Sequence, residues 1–194
     1  GTDPRVTSYT WHPDFRLPLS RSTTQMSESF TYDADGLLLE YSQTDVLVGS
    51  PNNGDVRTWT YGYTTQPSGL KVLTSMDGPG LASDGVNDVT TYTYNADGTM
   101  ASMTDPNGLV TTYANYDAYG NATRIVNPDS VAWEMTYDAE GQLLEVIENA
   151  DQNSVNKTTF TYDIVGQMTS YTTANNQVWT LTYDAARRLT DIAN

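Results

Sequence analysis

The stretch "YDAEGQLLEV" occupies residues 137–146. Tyr137 closes an alternating run through Trp133 and Met135, and Leu143 opens a second apolar run four residues past the last turn-like Ala-Glu pair begins. Aromatic and apolar residues at a period of two read as a strand with one covered face. Between the runs, Asp138 can bond backbone two residues on, and Gly141 can take the positive φ that ends the turn. That is the recipe for a type I turn closed by a G1 bulge. Ten residues thus predict one β-hairpin.

The same sentence recurs. "YDADGLLLEY" carries Tyr32, Asp33 and Gly36; "YNADGTMASM" carries Tyr94, Asn95 and Gly98; "YDAYGNATRI" carries Tyr116, Asp117 and Gly120. After Tyr137, Asp138 and Gly141 come Tyr162, Asp163 and Gly166 in "YDIVGQMTSY", then Tyr183 and Asp184 in "YDAARRLTDI". Arg187 stands in the glycine place of that last copy, where a left-handed conformation costs roughly 1 kcal/mol. Two degenerate copies complete the series. "WHPDFRL" puts Trp11, His12 and Leu17 in the Tyr, Asp and apolar places, and "TYGYTTQPSGL" centres on Tyr63. The unit is about twenty-one residues with insertions, at the short end of structural repeats. The period stretches near 42–57 and 77–90, the latter as "DGPGLASDGVND", a Gly- and Asp-rich segment expected to be an exposed loop.

Each returning strand places apolar residues two and five positions after the glycine, among them Leu38 and Tyr41, Ala122 and Ile125, Leu143 and Val146. A spacing of three puts them on opposite faces of a regular strand, unless one bulged residue restores the face. A bulge is expected in each hairpin, because one extra residue also curves a sheet. "DPNG" at 105–108 and "NPDS" at 127–130 supply turns at the other end of the strands. The expected fold is therefore all-β: a curved antiparallel sheet of about eight hairpins forming a single array over residues 1–194. The motif tyrosines are expected to be largely buried and stacked.

Composition agrees. Fourteen Tyr and four Trp beside abundant Thr suit strands, although Leu, Ile, Val and Phe are sparse. A net charge of −15, from nine basic and twenty-four acidic residues, leaves no electrostatic footprint for nucleic acid or an anionic membrane. No apolar stretch approaches the twenty residues of a membrane-spanning helix, and no Cys is present for disulfides. The opening "GTDP" reads as a cloning remnant and "LTDIAN" as a pattern cut midway, so a piece of a longer protein is expected.

Tyr-Asp-x-x-Gly followed by an apolar residue, recurring at this period over essentially the whole chain, resembles the Rhs/YD-repeat family. The resemblance implies a spiralling β-sheet that closes into a hollow shell, as in bacterial Rhs proteins, insecticidal Tc toxins and animal teneurins. In the bacterial proteins such a shell wraps a C-terminal toxin domain and is secreted or delivered to other cells, by type VI secretion among other routes. The implied partners are the rest of the parent shell and that toxin domain. Family shells often end in a paired DPxG motif beside an aspartyl self-cleavage site. Here "DPNGL" at 105–109 occurs once, another repeat follows, and no toxin domain does, so cleavage is not carried over.

The residues themselves hold little catalytic promise. The single histidine, His12, lies at a degenerate turn, and a Ser-His-Asp triad would depend on it alone. No Gly-x-Ser-x-Gly elbow occurs, and nothing selects a carboxylate pair among so many acids. "DADG" at 33–36, "NADG" at 95–98 and "DGVND" at 84–88 are oxygen-rich, but a calcium loop needs a longer ligand series, and the first two lie where the hairpin demands them. No enzyme activity, cofactor or metal is expected. The rival reading is a carbohydrate-binding or adhesion module, with Tyr9, Tyr113 and Tyr119 as its off-pattern surface candidates. Free sheet edges near "YTWHPDF" and "LTDIAN" should favour self-association.

Overall fold

The computed structural model describes residues 6–79, 88–152 and 156–194. Residues 84–87 of "DGVND" and most of the 77–90 stretch lie outside those residues, as does "GTDP". Every described element is a strand: β1 (Ser8–Trp11), β2 (Pro18–Ser22), β3 (Met26–Tyr32), β4 (Leu38–Asp45), β5 (Val56–Thr65), β6 (Lys71–Asp77), β7 (Val89–Tyr94) and β8 (Met100–Thr104). β9 (Val110–Tyr116), β10 (Ala122–Val126), β11 (Ala132–Tyr137), β12 (Leu143–Glu148), β13 (Asn156–Tyr162), β14 (Met168–Thr172), β15 (Val178–Tyr183) and β16 (Leu189–Ala193) follow. The protein is all-β, a sixteen-stranded antiparallel sheet whose strand order is the chain order, with no helix among the described residues. By backbone contacts it divides into two units, Gly1–Gly98 with Met103–Leu109, and Thr99–Ser102 with Val110–Asn194.

In the first unit, Tyr32 faces Leu38 while Thr31 faces Glu40, leaving Leu39 as the extra residue of a bulge. Leu38 and Tyr41 therefore share a face despite their odd spacing, since Tyr41 pairs with Phe30 and Leu38 with Tyr32. The same irregularity follows Trp11 and Tyr63, with Leu19 and Thr74 left over. The longer 42–57 stretch is partly extra ladder. Pairing of β3 with β4 runs on to Met26 and Asp45, and β5 starts only at Val56.

The second unit repeats the bulge at Leu144, Thr169 and Thr190. One hairpin corrects the expectation. β9 and β10 keep a constant register from Tyr116–Ala122 to Thr112–Val126. The distortion lies instead in β9, where Asn115 takes φ 54, a conformation Asn tolerates better than most residues. Ala122 is the smallest residue at that apolar position, so it demands the least cover.

Strands in each unit contact only their sequence neighbours. Only Val72, Ala132 and Glu28 are buried among the described residues. The motif tyrosines are half-buried rather than buried. The reason is architectural: a sheet without a second layer packed on it covers a ring only from the flanks. Cross-strand stacking does the covering. Phe30 and Tyr41 lie 5.1 Å apart, Tyr41 and Trp59 4.9 Å, Tyr171 and Trp179 6.1 Å, all near-parallel. The other parity is hydroxyl-rich: Thr31, Thr60, Thr136, Thr161 and Thr182 are exposed, and the Ser42 and Thr58 hydroxyls meet at 3.0 Å.

Candidate functional site: a tyrosine clasp between hairpins

Asp138 Oδ1 accepts the N–H groups of Glu140 at 3.0 Å and Gln142 at 2.8 Å. The Gly141 N–H donates to the Asp138 carbonyl at 3.2 Å, and the Asp138 N–H to the Gln142 carbonyl at 2.9 Å. One side chain thus satisfies two donors that the turn would strand. Gly141 sits at φ 80. Asp33, Asp117, Asp163 and Asp184 each accept the same two N–H groups, two and four residues on, at 2.9–3.0 Å. Gly36, Gly98, Gly120 and Gly166 hold the positive-φ place, and the Gly98 N–H donates to the Asn95 carbonyl at 3.0 Å. Arg187 is in the left-handed region, at φ 62. In the first hairpin His12 Nδ1 replaces the carboxylate, accepting from Asp14 and Phe15 N–H at 3.2 and 3.3 Å.

The carboxylates of Asp33, Asp117 and Asp184 are held below their ordinary range. For Asp33 the main cause is the Lys71 ammonium, at 2.7 Å, then the Leu37 N–H. For Asp117 it is the Asn121 side-chain amide, and for Asp184 the Arg188 N–H, then its guanidinium.

The tyrosines have a separate task. Tyr162 donates its hydroxyl proton to the Leu143 carbonyl at 2.9 Å, reaching back into the preceding hairpin. Tyr32 does so to Pro18 at 2.9 Å, Tyr63 to Leu38 at 3.0 Å and Tyr94 to Leu73 at 2.7 Å. Tyr116 reaches Met100 at 2.6 Å and Tyr183 reaches Met168 at 2.9 Å.

Strand register explains the choice of acceptor. The β12–β13 ladder ends at the Glu145–Thr159 pair; Leu143 lies two residues beyond it on one strand and Tyr162 three beyond on the other. β4–β5 ends at Glu40–Thr60, β14–β15 at Ser170–Thr180 and β6–β7 at Ser75–Thr91, with the same offsets. Past these pairs the ladder stops, and the hydroxyl satisfies the carbonyl left over. Burial raises the phenol pKa of Tyr32, Tyr63, Tyr94 and Tyr162, so the donor keeps its proton. Tyr137 is the exception. Its acceptor by register is Ala122, in the hairpin without the bulge, and its hydroxyl instead lies 3.6 Å from Met135 Sδ.

One further polar group sits on the aromatic parity. Glu28 is 4% exposed and receives two bonds from the Arg21 guanidinium and one from the Tyr41 hydroxyl at 2.6 Å. Burial pushes its carboxyl pKa up, but the bonds from Arg21 and Tyr41 outweigh that and hold it below the ordinary value. Burial, then the bond to Glu28, drives Tyr41 up to about 12. A shallow cleft of about 370 Å³ opens beside this cluster, against Tyr9, Phe30 and Tyr61. Of the off-pattern tyrosines, Tyr9 and Tyr119 are exposed and Tyr113 is half-buried.

Hairpins joined in chain order, most with an Asx-x-x-Gly turn and most clasped backwards by a tyrosine, define a β-hairpin repeat protein. The RHS Repeat family model matches four overlapping windows, 94–132, 116–154, 137–176 and 162–194, which together span just over half the chain. The chain belongs to the RHS repeat family. Among solved structures it is similar to TcdB2-TccC3 without the hypervariable C-terminal region, at 15% identity, 96% coverage of this chain and TM-score 0.44. It is similar also to TcdB2-TccC3-TEV, at 16% identity, 96% coverage and TM-score 0.42. The Tc holotoxin pore of Photorhabdus luminescens matches at 16% identity, 90% coverage and TM-score 0.39. The chain spans only 12–13% of the length of those proteins. No curated protein matches it.

Proposed function

We propose that this chain is one array of about eight hairpins forming part of the wall of a secreted bacterial Rhs shell that encloses a C-terminal toxin domain. The motif residues, from Tyr32, Asp33 and Gly36 to Tyr183 and Asp184, act structurally. Catalysis, cofactor and metal play no part in this role, and the function is steric. The observation that carries the reading is the junction between hairpins. Six junctions between hairpins, β2–β3, β4–β5, β6–β7, β10–β11, β12–β13 and β14–β15, are ladders that end at the same offset, most are closed by a tyrosine clasp, and strands touch only their neighbours. Such a wall lengthens by adding units, because each unit needs only the one before it.

The carbohydrate-binding alternative needs flat aromatic faces turned to solvent. The rings of Phe30, Tyr41 and Trp59 spend those faces on one another, which favours a wall. The test is protease protection of the domain downstream of the array in the parent protein. Protection that disappears when the wall is opened by Tyr162→Phe with Tyr183→Phe supports enclosure. A downstream domain digested equally fast in both proteins refutes it, and saturable binding on a glycan array would favour the rival.

A further inference from the structure

Two cross-strand ring pairs hold the same place in two junctions and differ in one neighbour. Tyr41 faces Trp59 between β4 and β5, and Tyr171 faces Trp179 between β14 and β15. Both pairs stack near-parallel, at 26° with centroids 4.9 Å apart and at 7° with centroids 6.1 Å apart. Phe30 and Phe160 stand opposite the two tyrosines on the other side. Two residues before Phe30 the chain has Glu28, and two before Phe160 it has Thr158. The Tyr171 hydroxyl has no hydrogen-bond partner among the described residues. The Tyr41 hydroxyl instead donates to Glu28 Oε1 at 2.6 Å, and its oxygen accepts from the Gln43 side-chain amide at 3.2 Å. Burying a carboxylate on the aromatic face costs desolvation, and the second pair stacks without one.

We propose that Trp59, Tyr41 and Glu28 form a proton-coupled redox site, which collects the oxidising equivalent delivered by a one-electron oxidant of the peroxyl-radical class. The oxidant takes one electron from the Trp59 indole and is itself reduced by one electron. An electron then crosses the stacked rings from Tyr41 to the Trp59 radical cation and restores the indole. In the same step the Tyr41 hydroxyl proton passes along its hydrogen bond to Glu28. The products are a neutral phenoxyl radical and a carboxylic acid, which later releases the proton to water. The 2.6 Å separation lies within the reach of a proton-accepting base, about 2.6–3.2 Å. Glu28, held below the ordinary carboxylate value, is ionised at neutral pH and ready to accept. Tyr41, pushed up to about 12, keeps its proton until it is oxidised. Tyr171 lacks such an acceptor, so the second pair has the electron path without the proton path. The site lies wholly within the first unit and is independent of the shell reading.

The test is pulse radiolysis of the 194-residue chain with azide radical, a one-electron oxidant of indoles, following indolyl decay and phenoxyl rise by absorbance. Expected is a fast phase independent of protein concentration that disappears in Trp59→Phe and in Tyr41→Phe and persists in Tyr171→Phe. A positioned base contributes about 10²–10⁴-fold, so Glu28→Gln should slow that phase by at least about ten-fold. Heavy water should slow it in the unaltered chain, a measurement that decides the matter even if Glu28→Gln fails to fold by circular dichroism. Absence of the fast phase from the unaltered chain, or its survival in Tyr41→Phe, overturns the site. An unchanged rate in heavy water or in folded Glu28→Gln overturns the role of Glu28 as proton acceptor, and with it the proposal.

Discussion

Replacing Tyr162 with Phe removes one oxygen and leaves the ring in place. The lost bond, 2.9 Å to the Leu143 carbonyl, is of the neutral kind that contributes about 1 kcal/mol net. Its acceptor lies two residues past the last ladder pair, so no strand N–H is positioned to replace the phenol. Leaving a covered acceptor unpaired adds to the loss, and half-burial limits that addition because water reaches part of the site. The expected cost is about 1–2 kcal/mol, or roughly 2–8 °C in Tm for a chain of this length. Tyr137→Phe is the internal control. Its hydroxyl meets only a thioether at 3.6 Å, so the same deletion should cost under about 0.5 kcal/mol. Urea unfolding followed by Trp fluorescence compares the two variants on one scale. Equal losses at Tyr162 and Tyr137, or no loss at either, would refute the clasp as a stabilising device.

Arg187→Gly should stabilise by about 1 kcal/mol, since Arg187 holds φ 62 without the freedom of glycine; a lower Tm in calorimetry would contradict this. Gly141→Val should cost more than about 2 kcal/mol while Gln142→Val stays well below it; an added Cβ at Gly141 meets nothing within 4 Å, so the penalty is conformational, and thermal melts of both variants decide it. Acid should destabilise below about pH 4: Asp33, Asp117, Asp184 and Glu28 have lowered pKa values, so their contribution is present above the ordinary carboxylate range and lost as pH falls through the folded values. Asp77, raised chiefly by its hydrogen bond with Asp88, acts in the opposite sense and should be outweighed; Tm against pH is the measurement. At the alkaline end, Tyr32, Tyr63, Tyr94 and Tyr162 have raised pKa values, so their contribution persists below about pH 10 and disappears above it. Tyrosinate absorbance should therefore rise together with loss of the β-sheet circular dichroism signal.

The hairpins were legible in the sequence because their chemistry is local. Asp138 and the N–H groups it serves lie within four residues, and Gly141 marks the turn by its freedom. The bulge was legible from the three-residue spacing of Leu38 and Tyr41, but that spacing misled at Ala122 and Ile125, where Asn115 on the opposite strand absorbs the irregularity. The tyrosine's partner was not legible. Its acceptor is a backbone carbonyl with no residue signature, 14 residues back from Tyr32 but 25 from Tyr63. Periodicity marks an aromatic ring as core and is silent about its oxygen. Burial of the rings was overestimated for a related reason: alternation shows which face is apolar, not whether a second layer covers it.

The hairpin around Tyr63 has its turn at Gln66–Gly69, two ladder pairs farther out than its siblings, yet its bulge still follows the tyrosine pair and Leu73 still receives Tyr94. Tyrosine and bulge therefore set the position of a hairpin, and the tip is free to grow. Growth must come in steps of one residue per strand, since a single inserted residue would exchange the two faces beyond it. Foreign peptide could accordingly be grafted at that rim, on paired extensions, without disturbing the junctions beneath. Length variation among units should concentrate at the tips and in even numbers.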